Sequence, residues 1–421
     1  MMNSEVKIKH NIRDFINDNF YIFFVILSFL SFRFSFLGSV RSVFWVLLIV
    51  LNLPSCFKKK GLIDDLIYIY IATALLSIVG WLQRDYPFSF FLTVLFESYV
   101  PIIFYFIGRE SSEQISTFYK RCIYAILFVN LIGFWCIYTM PSWYVEKSLE
   151  VMNENGFYSE DNLKFARFAS FLDSYHTSSL SVYMLCISIG GYYFLHNKLW
   201  ARVLFMFSLI IAVIGILLAQ QRVAMFVGLA LIPLNMLLMS INNESKNRLA
   251  TAKLSVLIVI GICFIIALAM QFEDYFSADN VLQRFSGESR DAMVSSRSGT
   301  WVDALENQED FIFGHGLGGG GHLAQTIGIT PTVRDGSYFV LLLETGLLSV
   351  ITFISILGVS LIRGFMRRRV NIIDLSILIY CCFALVGSNC IHFPYVIGVM
   401  WYAIGRINRK EDIVITDEGI S

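Results

Sequence analysis

The chain has 421 residues, of which 56% are hydrophobic and 15% charged, with a mean hydropathy of +0.65. A soluble domain carries about 25% charged residues, so this composition excludes an ordinary soluble fold and points to an integral membrane protein. The formal net charge is zero, which leaves no overall basic field to attract nucleic acid.

An apolar run of about 20 residues crosses the hydrocarbon core as a helix. Such runs predict helices near 18–37, 42–57, 62–82, 88–107, 122–140, 177–195, 202–220, 223–240, 254–271, 338–362, 371–388 and 391–405. The expected fold is all-α, a polytopic membrane protein of about 12 transmembrane helices. Residues 1–270 read as N-terminal membrane helices, 271–337 as a long extracytoplasmic loop, and 338–421 as C-terminal membrane helices with a cytoplasmic tail. The first run is too long for a signal peptide and lacks a small-residue cleavage site, so it reads as a retained span. Its Arg33 requires a polar partner or an interfacial position. Only Asn389 and Cys390 separate the last two runs.

Basic residues set the expected orientation. With the N-terminus in the cytoplasm and the sides alternating, 21 of the 32 lysines and arginines fall in cytoplasmic segments. Lys58-Lys59-Lys60 and Arg367-Arg368-Arg369 are examples, as the positive-inside rule requires. An even number of spans then puts both termini in the cytoplasm. Two long segments fall outside, 141–176 and 271–337. The eight cysteines are scattered without a CxxC pair, so neither a zinc site nor a disulfide framework is indicated.

The outer segments carry the residues that could do chemistry. Four arginines stand out there: Arg167, Arg222, Arg297 and Arg334. A charge at the membrane edge is costly unless it is paired or lines a polar cavity. Snorkelling to the interface explains one such residue. Several on one face suit an anion site, because the guanidinium grips phosphate through a bidentate fork. The run Gly314-His315-Gly316-Leu317-Gly318-Gly319 matches GxGxxG in form only. No βαβ unit surrounds it, which excludes a dinucleotide site. It reads either as a flexible loop or as backbone that approaches a ligand or helix closely. His315 and His322 lack a third ligand at useful spacing, so no metal is expected. Asp335 precedes the tenth run and suits either a helix N-cap or a general base. Glu344 lies inside an apolar run and requires a partner, for which a loop arginine is a candidate. Asp173 to Ser179, with His176, suits either a helix cap or sugar contacts.

In order along the chain, five stretches resemble the O-antigen polymerase and ligase superfamily. They are Arg167 to Asp173; Gln221-Arg222-Val223-Ala224; Ser296-Arg297-Ser298-Gly299-Thr300-Trp301; Gly314 to Gly318; and Asp335-Gly336-Ser337-Tyr338 with Glu344-Thr345-Gly346. The family's usual glycine after the first Arg-Phe is Ala169 or Ser170 here. The resemblance implies a GT-C-like membrane glycosyltransferase with no metal or cofactor. Its donor and acceptor would be undecaprenyl-pyrophosphate-linked oligosaccharides, and its site would face the periplasm from the bacterial inner membrane. Membrane lipid and a chain-length regulator are the further partners implied. On this reading Arg222 and Arg297 hold the pyrophosphate. Asp335, or else Glu344 or His315, activates the acceptor hydroxyl, while Arg167, His176, Trp301, His315, Arg334 and Tyr338 bind substrate. The family's ligases usually carry histidine at the position of Asp335, so this chain is expected to be a Wzy-type polymerase. Transfer to lipid A-core by a ligase is the nearest alternative. A polysaccharide flippase is a more distant one.

Overall fold

The computed structural model describes residues 2–146, 170–241, 299–367 and 371–409, apart from 35–37, 59–60, 85, 112, 114, 173, 196–197, 220, 307–309, 322–323, 325–332 and 334. Among these residues every regular element is helical. Seven helices are long and apolar enough to cross a membrane: Ile12–Ser31, Leu62–Arg84, Phe88–Glu110, Thr117–Thr139, Ser174–Leu195, Leu199–Ala219 and Ser337–Met366. Three shorter apolar helices are Val40–Cys56, Ala224–Met239 and Ile372–Gly387. The chain is therefore a polytopic membrane protein. Eleven of the twelve expected runs overlap helices, and the run at 254–271 lies outside the described residues.

The principal α-helices are α1 (Met2–Arg33), α2 (Gly38–Cys56), α3 (Leu62–Leu76), α4 (Ile78–Arg84), α5 (Phe88–Val94), α6 (Ile103–Glu110), α7 (Thr117–Thr139), α8 (Ser174–Leu195), α9 (Leu199–Ala219), α10 (Leu229–Ile241), α11 (Ser337–Met366), α12 (Ile372–Gly387) and α13 (Pro394–Ile407). The run expected at 88–107 is not one regular helix. A π turn at Leu95–Tyr99 and a 3-10 turn at Val100–Ile102 join α5 to α6. Pro101 sits in that 3-10 turn, where its missing N–H and fixed φ are tolerated.

The helices form two packing units that interleave along the chain: Met1–Asn17 with Trp45–Phe118 and Asn307–Ser421, and Asp18–Phe44 with Tyr119–Glu306. In the first unit α11 packs on α3 and α12, and α13 packs on α6 and α12. Helices in lipid gain little from the hydrophobic effect and associate through close packing at small residues. At the α6–α13 contact, a Cβ at Gly108 would strike the Tyr402 carbonyl, and one at Gly405 the Tyr105 carbonyl.

The helix ends of this unit bury two ion pairs. Arg109 pairs with Asp64, at 0% and 1% side-chain exposure. The same carboxylate accepts the Tyr105 hydroxyl at 2.7 Å, and Arg109 also donates to the Ser55 carbonyl at 2.8 Å. Arg406 Nε lies 3.1 Å from both oxygens of Asp374, and its Nη1 donates to the Glu113 carbonyl at 2.8 Å. Each arginine sits in the last turn of its helix and points inward at a carboxylate, which offsets the cost of burying its charge.

In the second unit α8 packs on α9 and α10. Polar contacts pin the α7–α8 pair: Ser181 Oγ donates to Asn130 Oδ1 at 3.1 Å, and Ser170 Oγ to the Val129 carbonyl at 2.7 Å. A Cβ at Gly215 would press on both Asn130 and Ser181, so the glycine lets α9 close over this pair.

Candidate functional site

The first unit builds its polar centre around a break in α11. Gly346 has φ 80 and ψ 177, which no helix contains. A break in a spanning helix frees backbone groups that must bond internally. The glycine-rich loop supplies the partners: His315 N–H donates to the Leu343 carbonyl at 2.5 Å, Gly316 N–H to the Glu344 carbonyl at 3.0 Å, and Leu347 N–H to the Phe311 carbonyl at 2.8 Å. The expected continuous span at 338–362 is thus two helical pieces joined through this loop. Only glycine fits at Gly346, because φ is positive and a Cβ would strike the Ile312 carbonyl.

The loop itself is wedged, not loose. Gly314, Gly316 and Gly318 all have positive φ, at 72, 92 and 83. Side chains there would strike the Glu344 backbone, Trp81 and Phe90 in turn. Of the two readings of this run, close backbone approach to helices is the one realised. His315 is 3% exposed, and its backbone N–H serves the broken helix.

Beneath the loop lies Glu344, 2% exposed. Its partner is an imidazole: His392 Nε2 lies 3.6 Å from Glu344 Oε2. Ser98 Oγ is hydrogen-bonded to His392 Nδ1 at 2.7 Å and so fixes the ring. Glu344 Oε1 and His392 Nε2 have no hydrogen-bond partner among the described residues. Both converge on one spot: a Cβ at Gly321 would sit 3.4 Å from each, and 3.5 Å from Asn389 Nδ2. Buried polar atoms are nearly always satisfied, and these two leave hydrogen-bonding capacity beside Gly321. The His392 side chain is 12% exposed. The same residue types form hydrolase triads, but Ser98 is 1% exposed and supports the ring. Burial pushes the nearby Cys390 thiol up to about 11, so it carries no thiolate at neutral pH.

Burial disfavours the charged form of His392, but Glu344 and Glu97 outweigh it and raise the pKa above the ordinary 6.5. A raised folded pKa stabilises the fold fully below the unfolded value, and the gain is lost as pH rises through the folded one. In thermal unfolding, wild type is therefore expected to exceed His392→Gln by more at about pH 6 than at about pH 9. An advantage that does not change with pH would contradict the pairing.

Of the residues expected from sequence, Glu344 and His315 come together in the first unit. Asp335 is half-buried just before α11. It is not the cap: Gly336 holds that position with φ 104, and no side chain caps the helix. The α11 start is instead tied to the end of α12, where Ser337 Oγ donates to the Ser388 carbonyl at 2.8 Å. Tyr338 follows, half-buried, with its ring 6.2 Å from Phe353. Arg222, His176 and Trp301 are half-buried in the second unit. There Gln221 Nε2 donates to Ser174 Oγ at 2.8 Å, which joins the Arg222 turn to the start of α8 that carries His176. Arg167, Arg297, Arg334 and His322 lie outside the described residues. Among the described residues the partner beside Glu344 is His392, and the arginines of the 271–337 loop lie outside them. Sequence reading missed His392 and Ser98, although Glu97-Ser98 and Asn389 to His392 are polar breaks in apolar surroundings.

No protein-family model matches this chain, and no curated protein matches it. Fold and site define an all-helical, polytopic membrane protein with a carboxylate–imidazole pair at a broken helix.

Proposed function

We propose that this chain is a membrane glycosyltransferase that lengthens polyprenyl-pyrophosphate-linked glycans, a Wzy-type O-antigen polymerase. The observation that carries the reading is the Glu344–His392 pair, with its free Oε1 converging on the Gly321 face. The motif set along the chain adds the arginines. In the reaction, an acceptor hydroxyl attacks the anomeric carbon of the donor sugar. The new carbon–oxygen bond forms as the bond to the pyrophosphate breaks. The hydroxyl proton passes to Glu344 Oε1, and the departing electron pair stays on the pyrophosphate. The motif set gives Arg222 and Arg297 to that anion on sequence alone, an electrostatic role that suits an already good leaving group. His392, with Nε2 3.6 Å from Oε2, orients Glu344. We assign the base role to Glu344 over Asp335, because Glu344 is buried and oriented by a second side chain, as a general base requires. By the positive-inside rule, the Asp64–Arg109 end of the first unit faces the cytoplasm. The Glu344 site then faces the periplasm from the inner membrane.

The test is the lipopolysaccharide ladder of the host after deletion of the gene and its restoration as wild type or Arg297→Ala. Deletion and Arg297→Ala are expected to leave core carrying a single repeat unit. Loss of all antigen from the core, with polymer building up on the carrier lipid, would make the chain a ligase. An unchanged ladder in the deletion would overturn both.

A further inference from the structure

Among the described glycines of the loop, Gly321 is the one whose missing side chain neither packing nor backbone demands. A Cβ at Gly314, Gly316, Gly318, Gly319 or Gly320 would come within 2.9 Å of a neighbour. Gly321 has no positive φ, and the nearest atoms a Cβ would meet there are Glu344 Oε1 at 3.4 Å, His392 Nε2 at 3.4 Å and Asn389 Nδ2 at 3.5 Å. All three are polar side-chain atoms. We propose that the space in front of Gly321 is the subsite for the acceptor hydroxyl, with Asn389 as its second partner beside Glu344. The identity of that hydroxyl rests on the proposed glycosyl transfer; the set of groups that would hold it does not.

A hydroxyl has one proton to give and two lone pairs to fill. Glu344 Oε1 takes the proton, the Asn389 amide nitrogen donates, and His392 Nε2 donates when its ring is protonated, which the raised pKa favours. A phosphate or carbonyl oxygen would bring only lone pairs to Glu344, and an ammonium only protons to the two nitrogens, so this set selects a hydroxyl. Asn389 is 8% exposed and holds the N-cap position of the 3-10 turn Cys390–His392, yet its side chain makes no capping bond. An N-cap asparagine ordinarily accepts from the N–H groups two and three residues on. Here Ile391 N–H donates to Ser337 Oγ at 3.2 Å, and His392 N–H to the Asn389 carbonyl at 3.3 Å. The amide is thereby released from its usual task while the turn that carries it is tied to the start of α11. Its Oδ1, buried with no hydrogen-bond partner among the described residues, is left for a neighbouring hydroxyl of the same sugar. One short turn thus presents both amide and imidazole to the Gly321 face, positioned before anything binds.

Thermal unfolding of the full chain, in a detergent without a sugar head group, tests the subsite. The probe is the host's repeat-unit oligosaccharide released from its carrier lipid, and the comparison is the same oligosaccharide with every hydroxyl methylated. The oligosaccharide is expected to raise the wild-type midpoint, and the methylated form is not. Gly321→Ala adds a methyl that meets only ordinary contacts, so it is expected to keep the wild-type midpoint without sugar and to lose the shift with it. Asn389→Ala is expected to shrink the shift and to raise KM for the lipid-linked acceptor about 2–10-fold, the worth of one hydrogen bond, with kcat little changed. Gly358→Ala, whose Cβ would meet nothing within 4 Å, is the control expected to match wild type. No shift in wild type, an equal shift with the methylated sugar, or a shift unchanged in both Gly321→Ala and Asn389→Ala would overturn the subsite. A wild-type shift lost in Gly321→Ala, without any glycan transfer, would support the subsite and contradict only the proposed reaction.

Discussion

Glu344→Gln is expected to slow glycan transfer by about 10²–10⁴-fold, the usual contribution of a positioned general base. Glutamine keeps the size and shape of the side chain, and Gly320 and Gly321 can still pack over it. What it loses is the negative charge facing His392 and the ability to take a proton. The loss should therefore fall on kcat, with KM for the lipid-linked acceptor little changed. His392→Gln should slow transfer less, because it removes the group that orients the base and leaves the carboxylate. It should also alter the pH profile, since the charge beside Glu344 is gone. Initial rates of the two variants across pH decide the matter. A wild-type rate in Glu344→Gln would remove Glu344 from the chemistry.

The second large effect is on stability. Arg109→Met is expected to cost about 3–5 kcal/mol, because it leaves Asp64 buried and unpaired. Arg109 has no exposed side-chain surface, and Asp64 has 1%. Water cannot take over the role of the guanidinium. The methionine would fill part of the space beside Phe106 and Tyr105, whose rings lie 5.2 and 5.7 Å from the Arg109 guanidinium carbon. Packing alone is therefore largely preserved, and the cost measures the stranded charge. Adding Asp64→Asn to Arg109→Met should recover most of the loss, since a neutral amide is far cheaper to bury. Thermal unfolding of the two variants in detergent checks this. Equal instability of the single and double variants would mean that packing, and not charge, carries the site.

Apolar run length made the helices legible, since hydrophobic patterning is imposed by the bilayer along each span. It could not show where a helix breaks while staying buried. The π turn at Leu95–Tyr99 and the reversal at Gly346 lie inside runs still apolar enough to span. At Gly346 the freed backbone groups are satisfied from far along the chain, as when Phe311 accepts from Leu347. Glu344 announced itself, because an acid in an apolar run needs a partner. Which partner was not readable. His392 follows it by 48 positions, and Ser98 lies 294 positions before His392. Both are ordinary polar residues until the fold brings them together. Similarly, Gly314, Gly316 and Gly318 invited opposite readings until each was seen against a helix backbone or side chain. The arginine motifs remain statements of sequence for Arg167, Arg297 and Arg334, which lie outside the described residues.

The most direct test of the central claim is transfer by the purified chain in lipid nanodiscs. The substrate would be polyprenyl-pyrophosphate-linked repeat units isolated from the host, and the products would be read by mass spectrometry. Wild type is predicted to yield lipid-linked glycans that grow by whole repeat units, with one polyprenyl pyrophosphate released per unit added. Glu344→Gln and Arg297→Ala should yield little or none. Substrate left unextended by wild type, or extended equally well by both variants, would contradict the account.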